Sequence, residues 1–266
     1  MPKSTKYQAK KPDATGRILY SIEEDAVWRD LFKRQQPNVE RFAAKSYLDG
    51  QKVLNLPRDY VPQCVDISDV LTDTTGWRVE PVPALIGFSR FFTMLANRTF
   101  PAASFIRDRK SFEYIEEPDI FHEIYGHTPL LTDERFAAFS HSIGQTGLKC
   151  DVSSYSWLIR LYWFTIEFGL IREGNQIKAL GSGLASSPSE LEHSNNAPMV
   201  QRKPFDVIEI LRTPYRIDIN QPIYFVLDSA EQLFEVVDRD LLADVKQAQK
   251  LGLHEPKYPA KEESAA

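Results

Sequence analysis

The chain of 266 residues has only two cysteines, Cys64 and Cys150. Two thiols cannot build a disulfide framework or a cysteine-rich zinc site, and they suit a reducing, cytosolic compartment. Glycine is also scarce, at 12 residues, and no Gly-rich strand-to-helix turn is present. That weighs against dinucleotide-binding and P-loop folds. No apolar run is long enough for a membrane span; the best, Trp157 to Ile171, is short and carries Arg160 and Glu167. The N-terminus holds Lys3, Lys6, Lys10 and Lys11 but no apolar stretch, so no secretory signal is read. The net charge is -5, without a basic stripe, which argues against a nucleic-acid partner. A cytoplasmic protein with no membrane or nucleic-acid partner is the expectation.

What is present is an average globular composition, 42% hydrophobic and 26% charged, sized for one sizeable domain. Residues 1–20 are polar and aperiodic and read as a flexible tail; 21–255 read as the domain, and 256–266 as a second tail. Helical spacing runs over Glu23–Phe42, Ile67–Leu71, Ile86–Ala96, Ile120–Tyr125, Glu134–Thr146, Ser153–Leu170, Ser187–Ser194 and Ala230–Leu251. Trp77–Pro83 and Ser104–Ile115 read as extended, and Lys178–Leu184 as loop. Beyond Phe205, short β-branched runs at Val207–Leu211, Tyr215–Ile219 and Ile223–Leu227 suggest a small antiparallel sheet. The predicted fold class is mainly α.

Two of only five histidines, His122 and His127, lie within the segment Pro118-Asp119-Ile120-Phe121-His122-Glu123-Ile124-Tyr125-Gly126-His127. The pattern is close to a zinc-protease HExxH, but the spacing differs by one residue. Side chains at i and i+4 sit about 40° apart around an α-helix, and those at i and i+5 about 140° apart. A regular helix cannot aim both imidazoles at one ion. The chain is therefore expected to break at Gly126, with Pro129 stopping the helix from resuming. Glu167 is a candidate third ligand, because a carboxylate among Tyr162, Trp163, Phe164, Ile166 and Phe168 is costly to bury without a cation. Two histidines and a carboxylate suit non-haem Fe(II) oxygenases, yet zinc hydrolases use similar sets, so this chemistry leaves the metal open.

The ordered runs PDIFHEIYGHTPL, YWFTIEFGL and GSGLASSPSEL resemble the catalytic domain of the pterin-dependent aromatic amino acid hydroxylases, over most of the chain from Trp77 onward. Within that family the resemblance is to the bacterial branch acting on phenylalanine. It implies a single catalytic domain of this hydroxylase type, without the N-terminal regulatory domain and tetramerising helix of animal enzymes. It implies hydroxylation of L-phenylalanine to L-tyrosine with O2, Fe(II) and tetrahydrobiopterin or a related tetrahydropterin, by a monomer or homodimer.

By that resemblance His122, His127 and Glu167 hold the iron, and Glu123 lies at the pterin and the metal-bound water as a catalytic residue. Ile86, Phe91 and Tyr162 join Glu123 around the pterin. Arg107 clamps the substrate carboxylate as a guanidinium fork, oriented by Asp119. Trp163, Phe168, Gly183 and Ser186 complete the substrate site. Trp163 and the neutral Val226 favour phenylalanine over tryptophan or tyrosine, which are the alternatives within the family; a zinc hydrolase with Glu123 as base is the alternative outside it. Ile115 and Glu116 depart from the Thr and Pro usual in animal enzymes. Each residue alone has an ordinary reading. Ser186 would cap a helix, Phe91 and Tyr162 would be core, and Arg107 with Asp108 and Arg109 would be a solvated charge run. The joint order of the three runs carries the resemblance.

Overall fold

A capping box opens the first long helix: Ser21 accepts from Glu24 N–H, and the Glu24 carboxylate accepts from Ser21 N–H. The structure, a computed structural model, describes residues 7–83, 85–113, 115 and 117–258. Residues 1–6 and 259–266 of the two expected tails, and the departure at Glu116, lie outside the described residues.

The helices are α1 (Ile22–Phe42), α2 (Lys45–Leu54), α3 (Cys64–Thr75), α4 (Phe88–Ala96), α5 (Thr128–Leu131), α6 (Glu134–Lys149), α7 (Tyr155–Tyr162), α8 (Ser182–Ser186), α9 (Pro188–Asn196), α10 (Val207–Arg212), α11 (Gln232–Val237) and α12 (Leu241–Leu251). Two π-helices, Phe121–His127 and Trp163–Glu167, run directly into α5 and out of α7. The strands are β1 (Arg78–Val82), β2 (Thr99–Ala103), β3 (Leu170–Glu173), β4 (Gln176–Ala179), β5 (Gln201–Pro204) and β6 (Ile223–Leu227). The chain is mainly α, as expected. Among the described residues no helix is long and apolar enough to cross a membrane.

The sheet differs from the antiparallel one expected. Four strands lie in the order β4-β3-β6-β5, and only the β3–β4 hairpin is antiparallel; β3–β6 and β5–β6 are parallel. A separate parallel pair joins β1 to β2. Parallel neighbours need long crossovers, and the helices between β4 and β6 supply them. Val207–Leu211 is helical rather than extended. Asp206 caps Glu209 N–H, and Val207, Ile210 and Leu211 are buried at i, i+3, i+4. Of the three β-branched runs, only Ile223–Leu227 is a strand. The extended segment sits at Thr99–Ala103, before the predicted Ser104–Ile115, which instead holds a 3-10 turn at Arg109–Ser111. Lys178–Leu184, read as loop, instead holds the end of β4 and the start of α8.

Residues 7–20 do not hang free as a tail. Tyr7 stacks on Phe105 with centroids 4.7 Å apart, Lys10 N–H donates to Ser104 Oγ, and Ile18 N–H donates to Gln63 Oε1. A polar sequence conceals this because the anchors are single side chains and backbone groups, with no periodic face.

The core is one apolar cluster that runs behind both π-helices. Phe121 and Tyr125 stack at 4.6 Å under the first, with Trp28 edge-on to Phe121 at 5.3 Å. Phe164, fully buried in the second, packs edge-on against Phe225 of β6 at 5.3 Å. Phe164→Ala is expected to cost about 3–5 kcal/mol through lost burial and the cavity left behind. Chemical denaturation should show the midpoint falling at unchanged slope.

Candidate metal centre and cavity

The first π-helix answers the spacing problem differently from the expected break. In i→i+5 bonding the turn widens, and residue i+5 returns toward the azimuth of residue i. His122 and His127 therefore share a face without the chain leaving the helix. Their Nε2 atoms are 3.2 Å apart. The helix also continues past Gly126, and Pro129 sits in the first turn of α5, where its missing N–H matters least. Gly126 serves a close approach instead: a Cβ there would lie 2.9 Å from the Ser182 carbonyl oxygen.

Glu167 ends the second π-helix and meets both imidazoles. Its Oε1 is 3.0 Å from His127 Nε2, and its Oε2 is 3.7 Å from His122 Nε2. Ser182 Oγ stands 2.9 Å from Glu167 Oε2, 3.0 Å from Ile166 O and 3.1 Å from His127 Nε2. On the far side of His122, Nδ1 lies 2.8 Å from Ser186 Oγ, whose own proton goes to Ser182 O. The Ser186 oxygen can then only accept, so His122 carries its proton on Nδ1 and turns the Nε2 lone pair toward Glu167 and His127.

A second grouping is nearly as tight: ligand atoms of His122, Glu123 and His127 all lie within 4.8 Å of one another. Charge separates the two carboxylates. Burial raises the Glu167 carboxyl, but His127, His122 and the Ser182 hydroxyl more than offset it and hold it at about 2. Burial pushes Glu123 well above the usual carboxylate range, and the Glu167 anion pushes it further. Glu167 is the anionic donor, and Glu123 is the neutral acid beside it. Burial likewise depresses His122 to about 4, aided by His127 and opposed by Glu167.

A cavity of about 250 Å³ opens over these groups. Ile86, Phe91, Tyr162, Glu123 and Trp163 all line it, together with Phe100, Pro118 and Tyr215. Phe91 and Tyr162 meet edge to face at 5.3 Å on one side. Trp163 stacks on Tyr215 at 4.2 Å on the other.

Five of the sequence-predicted residues stand behind the walls rather than in them. Arg107 and Asp119 are buried and pair through two parallel bonds, Nε to Oδ2 at 2.8 Å and Nη2 to Oδ1 at 2.9 Å. Asp119 also accepts from the backbone N–H of Arg107 and of His122, which ties that pair to the first π-helix. Phe168 packs on Trp163 at 4.4 Å, and Gly183 makes room for it: a Cβ there would meet Phe168 Cζ at 2.8 Å. Ser186 acts on His122, as described. Sequence reasoning passed over Ser182 and Tyr215. Ser182 lies inside the GSGLASS run, which was the available signal; nothing local marks Tyr215.

The sequence profile of the biopterin-dependent aromatic amino acid hydroxylases matches residues 3–250. The phenylalanine-4-hydroxylase of Vibrio cholerae is 49% identical over 262 residues, covering 98% of this chain and 91% of that protein. The cold active phenylalanine hydroxylase from Colwellia psychrerythraea is similar in structure, with a TM-score of 0.94 at 47% identity, over 97% of this chain and 100% of that one. The phenylalanine hydroxylase of Chromobacterium violaceum with bound oxidized Fe(III) has a TM-score of 0.88 at 35% identity, over 95% and 92% of the two chains. The matched span includes both π-helices, the loop at Ser182 and every wall of the cavity, and the chain belongs to the biopterin-dependent aromatic amino acid hydroxylases.

Proposed function

We propose that the chain hydroxylates L-phenylalanine to L-tyrosine, using dioxygen, a tetrahydropterin and an Fe(II) held by His122, His127 and Glu167. The convergence of two imidazole Nε2 atoms and one ionised carboxylate at the floor of an aromatic cavity carries this reading. The donors fit such an ion. Three ligand atoms on one side leave further positions open, and that is the facial set of non-haem iron oxygenases. The similar proteins from Vibrio cholerae and Colwellia psychrerythraea are phenylalanine hydroxylases, and the Chromobacterium violaceum enzyme holds iron, which supports it. Bound iron and tetrahydropterin together would supply the electrons that split dioxygen and place one oxygen atom on the ring.

The chain's own residues do the rest. Ser186 holds the proton of His122 on Nδ1 and keeps its Nε2 available as a ligand atom. Ser182 does the same office for Glu167, fixing Oε2. Glu123, kept neutral, can hold a proton at the edge of the cavity. Phe91 and Tyr162 present one set of ring faces for the pterin, and Trp163 with Tyr215 another for the substrate. These apolar walls exclude water from the reacting atoms. Arg107, paired to Asp119 through Nε and Nη2 behind the cavity wall, is the cation that would meet the substrate carboxylate.

Oxygen uptake with Fe(II), a reduced tetrahydropterin and L-phenylalanine, with tyrosine assayed as product, tests the reading. Tyrosine should form faster than the hydroxylated products of L-tryptophan or L-tyrosine; zinc-supported turnover without pterin or oxygen would overturn it. His122→Ala is expected to lose bound iron and hydroxylation together, by metal analysis and product formation; full turnover in that variant would show the ligand assignment to be wrong.

Asp119→Asn leaves a buried guanidinium without its anion and should cost about 3–5 kcal/mol. The KM for phenylalanine should rise as Arg107 loses its orientation. Arg107 holds the Asp119 carboxyl below its ordinary value against the opposing effect of burial. With the folded pKa lowered, this contribution is full above the unfolded value of about 3.9 and fades as pH falls below it. Denaturation followed from neutral to acid pH should therefore show a shallower acid limb in Asp119→Asn than in the parent.

A further inference from the structure

The loop of residues 213–222 carries Tyr215 into the cavity, and Gln221 ties it down through both its side chain and its backbone. Gln221 is 1% exposed and satisfied at every polar atom. Its backbone N–H donates to Glu190 Oε1 at 2.8 Å, and its carbonyl accepts from His193 Nε2 at 3.2 Å. Its Nε2 donates to Arg216 O at 2.7 Å and Ile219 O at 3.1 Å, which closes the loop on itself. The remaining acceptor, Oε1, receives the indole N–H of Trp163 at 3.3 Å. Glu190 is itself buried and also accepts from Tyr224 OH at 2.6 Å, which fixes the anchor to β6.

The bond to Trp163 is separate from those that close the loop, since both amide hydrogens and both backbone groups are used elsewhere. The Oε1 bond therefore has one effect of its own. It sets the rotation of the Trp163 indole, which stacks on Tyr215 within 15° of parallel and meets Phe168 on its other contact. We propose that Gln221 is a positioning residue for the aromatic wall, holding Trp163 and Tyr215 in register so that the cavity accepts a single benzene-type ring and disfavours a larger bicyclic one. The proposal deepens the functional reading above and rests on it for the identity of the ring.

Trp163→Phe removes only the indole donor while keeping a stacking ring, and Gln221→Met removes the acceptor together with the Nε2 donor that closes the loop on Arg216 O and Ile219 O. In the iron-loaded enzyme Trp163→Phe should raise the KM for phenylalanine roughly tenfold, the worth of one buried hydrogen bond, and Gln221→Met at least as much. kcat, iron content and the KM for the tetrahydropterin should stay within about twofold. The preference for phenylalanine over tryptophan should narrow in Gln221→Met. The double variant should be no worse than Gln221→Met alone, because that change already removes the contact to Trp163. An unchanged KM in either folded variant, fully additive effects, or a common fall in every parameter together with iron would overturn the proposal. Trp163 fluorescence, taken as the difference between parent and Trp163→Phe, gives a readout without turnover. It should shift in Gln221→Met even if no amino acid is hydroxylated, and in that case only the functional reading falls. An unshifted spectrum would count against the tie itself.

Discussion

The widened turn between Phe121 and His127 is the constraint on which the rest of the site depends. One residue of spacing separates this chain from an i, i+4 metal pair, and i→i+5 bonding absorbs that residue without interrupting the helix. Its surroundings hold it in place from several directions. Asp119 receives the N–H of His122, Thr128 Oγ donates to Ile124 O, and Tyr47 OH donates to Tyr125 O. The stacked Phe121 and Tyr125 rings fix the opposite face against Trp28. Because the turn does not rely on a flexible break, the two imidazoles are presented on a rigid element, and rigidity is what a ligand pair needs to be in place before the ion arrives.

Three buried acids around the first π-helix are driven to two different states. Asp119, fully buried, is an anion because Arg107 clamps it. Glu167 is held low against the effect of burial chiefly by His127, with the Ser182 hydroxyl at Oε2. Burial, and then the Glu167 anion beside it, push the Glu123 carboxyl well above the usual carboxylate range. Environment, not residue type, divides the labour. An unpaired second anion beside Glu167 would add repulsion at the centre of the site; a neutral Glu123 contributes a proton and no charge.

His122, His127 and Glu167 were legible in the sequence because scarce residue types stood in unusual company: two of five histidines in six residues, and a lone carboxylate in an aromatic run. The manner of their convergence was not legible. Spacing arithmetic presumes 3.6 residues per turn, and a π turn looks like any other apolar helix until hydrogen-bond partners are known. The long helices were also readable, since their apolar periodicity is strong over many residues. Val207–Leu211 misled because β-branched content pointed to a strand while its buried positions follow the helical period. Strand direction lay beyond reach, as parallel and antiparallel pairing depend on where intervening helices carry the chain. Ser182 and Gln221 belong to common residue types whose importance comes only from distant segments brought to them.

The second π-helix links the two halves of the cavity's work. Trp163 begins it and Glu167 ends it, and the bond from Phe168 N–H to Trp163 O, at 2.8 Å, closes the turn over both. The residue that walls the ring and the residue that faces the imidazoles are thus ends of one rigid turn. Each end is tied down separately, Trp163 to Gln221 and Glu167 to Ser182. Because Glu167 keeps its own tie to Ser182, a rotation of the Trp163 indole can be taken up at the aromatic wall while the carboxylate stays beside the imidazoles.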